Sequence, residues 1–184
     1  MVTIRKELVK DIGAREALLD LCFGAARFAK ASERLREHRL PADGLSFAAT
    51  ERRRVIGTVR LWHVTAGPGR PALLLGPLAV HPEFRGRGIG AALIRRALAE
   101  AARLGHRAVL LVGDAPYYRR FGFSAGQTGA LWLLGPYEKA RLLAREIVPG
   151  ALAGARGLIS PTGSRALIPD RASLHRNEAA ARAA

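Results

Sequence analysis

"LAVHPEFRGRGIGAALI", residues 78–94, decides how the rest of the chain is read. An apolar run ends at Val80, a turn begins at His81 and Pro82, and Gly86, Gly88 and Gly90 occupy alternate positions just before a regular apolar repeat. Glycine is a poor helix former, so at a helix entrance it signals backbone that must turn sharply or come very close to something else. Strand, glycine loop and helix in that order converge several backbone N–H groups on one point, backed by the helix N-terminus, which suits phosphate or a similar anion. A P-loop is excluded, because no Gly-Lys-Ser/Thr follows the glycines. Gly86, Gly88 and Ala91 fit a relaxed dinucleotide pattern, but five residues separate Val80 from Gly86, too long for the tight turn. Arg107 and Ala108 also stand where an acidic ribose ligand is needed.

Outward from the loop, Ile89, Leu93, Ala97, Ala101 and Leu104 form one stripe of a helix over 88–104, with Arg95, Arg96, Ala99, Glu100 and Arg103 facing away and Gly105 as its stop. Upstream, "ALLLGPLAV" (72–80) reads as a buried strand broken or bulged at Pro77, because proline removes a ladder donor. "LSFAAT" and "RVIGTVRLWHV" form an antiparallel hairpin across "ERRR", and "GPGRP" (67–71) is the next turn. The N-terminal part reads as a strand in "VTIRKEL", an amphipathic helix over 12–28, and a second helix over 33–39 with Ser32 as N-cap and Pro41 as its end. Downstream come a strand in "RAVLLV", a helical turn in "DAPYYRRFGF", and strands in "GALWLL" and "RLLAREIV". This order predicts one α/β (α+β) domain with a mixed sheet. From Pro149 the periodicity fades, and "NEAAARAA" offers only a terminal helical turn.

With 184 residues, 49% of them hydrophobic, the chain can bury a sizeable core. The N-terminus has no signal-like apolar region and no segment is long enough to span a bilayer, so the expected localisation is cytoplasmic, without membrane partners. Cys22 is the only cysteine; it cannot form an internal disulfide or a cysteine metal cluster and is read as a small core residue. The net charge of +15 invites a nucleic-acid reading, but the arginines are dispersed in an Ala, Gly and Arg-rich context rather than gathered on one stretch. Such a field also concentrates small anions at a cleft.

The quoted stretch resembles the acetyl-CoA signature of the GNAT superfamily of N-acetyltransferases: Arg85, Gly86, Arg87, Gly88, Ile89 and Gly90 after Val80, His81 and Pro82. "YYRRFGF" (117–123) matches that family's second mark, an aromatic pair followed by a Gly-Phe turn. The resemblance spans residues 72–123 by motif and the flanks by element order. It implies a mixed, mostly antiparallel central sheet with splayed central strands, flanked by helices, over residues 1–150, leaving 151–184 as a C-terminal extension, partly disordered. It also implies acetyl-CoA as cosubstrate, no metal, and a primary amine of a small molecule or peptide as acceptor, attacked directly in a ternary complex; a homodimer is left open.

By resemblance, the pyrophosphate lies on the N–H groups from Arg85 to Gly90, with Arg85 and Arg87 available for phosphate pairing and the free edge at Leu78 and Val80 holding the pantetheine arm as an added strand. The amide of Val80 then serves as oxyanion donor and Tyr118 as the acid that protonates the leaving thiolate. Tyr117, Phe121 and Phe123 are assigned to packing. No base is assigned: "ALLLGPLAV" has no carboxylate, and His63, Glu51, Asp114 and His81 each have a plainer surface, turn or loop role. Two other readings stay open, a non-catalytic acyl-CoA-binding module of the same fold and a basic nucleic-acid binder.

Overall fold

The computed structural model describes residues 1–166. Eight strands run β1 (Val2–Lys6), β2 (Ser46–Glu51), β3 (Arg54–Ala66), β4 (Pro71–Val80), β5 (Ala108–Val112), β6 (Leu131–Trp132), β7 (Leu142–Glu146) and β8 (Gly157–Pro161), with helices α1 (Ile12–Phe23), α2 (Ile89–Arg103) and α3 (Ala115–Arg119). The sheet order is β1-β2-β3-β4-β5-β7, and β8 joins β3 and β6 at one side. Only β4 with β5 and β6 with β8 are parallel; every other pairing is antiparallel. The expected hairpin is closed by Arg52 and Arg53, both at positive φ (47° and 67°), the handedness that a two-residue hairpin turn demands.

Alternate residues of the central strands feed opposite faces. Leu61, Leu73, Leu75, Val109 and Leu111 pack with Leu93, Ile94 and Ala97 of α2, whereas Trp62, Val64, Leu74 and Leu110 pack with Ala31 and Leu35 on the other side. The break expected at Pro77 is a bulge: Val59 faces Leu78 and Leu61 faces Leu75, so β4 carries one residue more than β3 across Gly76 and Pro77. Beyond it the central strands part. β4 and β5 share only the pairs Leu73–Val109 and Leu74–Leu110, after which β5 stays with β7 and β4 runs on to Val80 alone on that side.

Several expectations are corrected. The first helix stops at Phe23 rather than reaching residue 28, because Gly24 turns at φ 61° and the next five residues form a 3-10 turn. The second helix shrinks to a 3-10 turn at Glu33–Leu35 with no Ser32 cap bond; His38 adopts φ 56° and Arg39 is drawn off to the Gly163 carbonyl at 2.7 Å. "GALWLL" yields only two strand residues, which pair with β8. Glu100 does not face away but is buried, pairing with Arg103. The first part of the extension drawn from residue 151 belongs to the domain, since Leu152, Ala155 and Ile159 are buried in the core and β8 pairs with β3. The terminal helical turn read in "NEAAARAA" lies outside the described residues.

Candidate active site

The splay between β4 and β5 opens beside the glycine loop. His81 donates its amide to the Ile56 carbonyl of β3 at 2.8 Å. Because N–H direction alternates along a strand, Ala79 also faces β3, and the amides of Leu78 and Val80 face the edge that β5 has left. Their side chains join Phe84, Arg85, Gly86, Gly88, Ile89, Gly90 and Ala91 in lining one cleft of about 440 Å³. The sequence-selected residues therefore converge, with two exceptions. Arg87 turns out of the cleft to Glu51 at 2.8 Å, and Tyr118 is not a lining residue but packs edge-on against the lining Tyr117, with ring centres 5.0 Å apart.

The three glycines have different reasons. Gly86 and Gly88 take φ 77° and 73°, and a Cβ on either would meet nothing, so what they supply is left-handed backbone rather than clearance. Gly90 is helical, and a Cβ there would stand 3.1 Å from the Tyr117 hydroxyl, so this glycine keeps space for a side chain. The Arg85 amide is committed to the Pro82 carbonyl at 3.2 Å, which moves the start of the amide cradle to Gly86. From Gly86 to Ala91 the amides have no backbone acceptor among the described residues, and Ala92 is the first to bond back, to Gly88 at 3.0 Å.

Seven cleft residues were not selected from the sequence: Ala79, Phe84 and Ala91 within the motif, and Cys22, Phe23, Tyr117 and Arg120 outside it. Cys22 and Phe23, at the end of α1, line the cleft, and the Cys22 thiol donates to the Val80 carbonyl at 3.5 Å, so Cys22 sits at the margin of the core with one side on the cleft. Tyr117 and Arg120 line it as well, with the guanidinium 4.1 Å from the ring centre. Only this second pair was legible, as an aromatic and a cation three apart on a helical turn.

Asp114 caps α3 by accepting from the Tyr117 amide at 3.2 Å, which holds the tyrosine pair in place. Tyr118 then packs edge-on to Phe123 with ring centres 5.9 Å apart, and Gly113 at the end of β5 lies against its ring edge. Burial, reinforced by Tyr117 and Asp114 and partly opposed by Arg141, pushes the Tyr118 phenol up to about 12. The base candidates are engaged elsewhere. Glu51 holds Arg87, Asp114 caps α3, His81 shares its Nε2 with Arg54 at 2.7 Å, and His63 stacks near His106 away from the cleft. Among the described residues no group of three or more metal-ligating side chains occurs, and no helix is long and apolar enough to cross a membrane.

A free central edge beside an amide-rich glycine loop defines an acyltransferase of the GNAT type, and residues 42–125 match the family model described as an acetyltransferase (GNAT) domain. The chain is 31% identical over 157 residues to the uncharacterized N-acetyltransferase YhbS of Escherichia coli K12, spanning 85% of this chain and 93% of that protein, and it belongs to the GNAT family of N-acetyltransferases. The crystal structure of Escherichia coli YhbS in complex with CoA superposes with a TM-score of 0.74 at 30% identity, covering 88% of this chain and 89% of that one. A GNAT family acetyltransferase from Brucella melitensis in complex with acetyl-CoA gives a TM-score of 0.62 at 28% identity, covering 91% and 96%.

Proposed function

We propose that this N-acetyltransferase takes acetyl-CoA as donor and transfers the acetyl group directly to a primary amine in a ternary complex. The observation that carries the reading is the edge of Leu78 and Val80, which has no strand partner and whose two amides are free, running toward the unpartnered amides of Gly86–Ala91. Amides at both places match a donor with a diphosphate at one end and an amide-bearing arm at the other, and the two similar structures hold CoA and acetyl-CoA. Bound there, acetyl-CoA supplies an activated thioester.

The amide of Val80 or Leu78 is oriented to donate to the carbonyl oxygen as it gains charge. Arg85 and Arg120 line the same cleft and supply positive charge, whereas Arg87 is spent on Glu51. Tyr118 holds the proton for the departing thiolate. With its phenol at about 12 it stays protonated throughout the physiological range, at the cost of driving force for the transfer. Acetyl-CoA raises the melting temperature if the reading holds, as any ligand that binds only the folded state must. Mass spectrometry after incubation with acetyl-CoA and pooled amines then reads transfer. No thermal shift at saturating acetyl-CoA refutes the donor site; a shift with no acetylated amine favours the non-catalytic module.

A further inference from the structure

The donor cleft opens at the splay between α2 and the end of α1, and residues 24–41 cross the sheet face opposite α2, placing Ala31 and Leu35 against Trp62, Leu74 and Leu110. A buried cation sits there. Arg36 is 8% exposed, and its Nη1 lies 3.4 Å from where a Cβ on Gly76 would stand, against the bulge at which β4 and β5 part. Glu33 accepts from Nη2 at 2.6 Å, but Nε is buried with no partner, a costly state for a charged donor. The other wall of the splay carries a second arginine. Arg141, half-exposed and paired with the exposed Glu138 at 3.7 Å, places its Nε 3.4 Å from the carbonyl of Gly113, at the end of β5 and beside Tyr118. Burial, reinforced by repulsion from Arg36 and Arg141 and opposed by Glu33, holds the Lys30 ammonium below the ordinary lysine range.

A polycation is repelled by such a place, whereas an amine that also bears an acid group is attracted to it. We propose that the acceptor is an amine carrying a carboxylate, which Arg36 binds from the base of the splay with Arg141 and Lys30 around it. The same positive surroundings favour the neutral form of the acceptor's amine, so less is asked of a base that the site does not contain. The proposal rests on the N-acetyltransferase reading and names the substrate class for that site.

The test compares straight-chain amino acids, glycine to 5-aminopentanoate, with their primary amides and with spermidine, using the full chain. For at least one acid and amide pair, acetylation of the acid has a kcat/KM about tenfold or more higher, the worth of one charge-assisted hydrogen bond. Arg36→Met brings that ratio close to one while the acetyl-CoA Kd stays within about twofold. Equal rates within every pair, or preference for spermidine, overturn the proposal, and so does an acid preference that survives Arg36→Met. The wild-type comparison needs no variant, so it stands even if Arg36→Met fails to fold; Arg141→Met then supplies the second reading. Thermal shifts with CoA present separate the two claims. A shift by acid and not amide, without turnover, keeps the carboxylate site and sinks the transfer reading; no shift and no turnover with any acid sinks the site.

Discussion

Replacing Gly113 by alanine presses on Tyr118 while leaving its side chain chemically unchanged. The φ of Gly113 lies outside the left-handed region, so alanine suits the backbone, but its Cβ would stand 2.4 Å from Tyr118 Cε2, 2.9 Å from Cδ2 and 3.0 Å from Leu111 Cδ1. Carbon atoms pack comfortably at about 3.5–4.0 Å, so the ring must retreat by about 1 Å. Tyr117, Phe121 and Phe123 surround it at ring-centre distances of 5.0, 6.4 and 5.9 Å, and little slack is available. Overpacking of this kind costs about 1–3 kcal/mol, offset in part by about 0.4–1 kcal/mol from the stiffer unfolded chain. For a domain of this size the net loss lowers Tm by a few degrees. A misplacement of about 1 Å at a reacting group costs on the order of 100-fold in rate. Thiol release from acetyl-CoA with an accepted amine should therefore show kcat reduced by about that factor in Gly113→Ala, with the acetyl-CoA Kd unchanged. Tyr118→Phe should lower kcat likewise, and the two losses should not multiply in the double variant, because both act through one hydroxyl. Wild-type kcat in Gly113→Ala, or losses that multiply, refutes the placement of the acid at Tyr118.

At Gly88 the need is for backbone handedness, so Gly88→Ala should weaken acetyl-CoA binding about tenfold by calorimetry while Gly88→Asn, a residue that visits left-handed backbone, loses less; equal losses would contradict this. The buried Tyr118 phenol stays protonated to about 12 when folded but ionises near 10 when unfolded, so wild type should lose stability relative to Tyr118→Phe as pH rises from 10 toward 12, by about 2–3 kcal/mol in urea titrations, and parallel curves would refute it. Asp11 is held below the ordinary carboxylate range by its hydrogen bond to Arg5 and by the Leu8 amide, so its contribution is present above pH ~4 and lost as pH falls further. Asp11→Asn should therefore lower Tm at pH 7 by several degrees, with the gap closing in acid; a gap that persists in acid shows that charge is not its source.

The N-terminal half shows where local reading fails. The apolar spacing over residues 12–28 is helical throughout, yet Gly24 turns the chain and Arg27 folds back to Glu16 at 2.6 Å, an interaction between residues eleven apart that periodicity cannot register. The same limit hid Arg36, which lies against a glycine forty residues on, and hid the contact of Cys22 with Val80 at the margin of the core. It also hid β8, a short strand in a Gly-rich segment that exists because β3 and β6 offer it edges.

By itself the sequence determined the features that are local: a break or bulge at Pro77, a sharply turning glycine loop before α2, the helical turn of the tyrosine pair, and through these motifs the family. Each is set by backbone chemistry within a few residues. Tertiary structure alone decided which cations reach the splay, why Arg87 does not enter the cleft and why the Tyr118 ring is buried behind its lining, because charge pairing and burial are settled between segments distant in the chain.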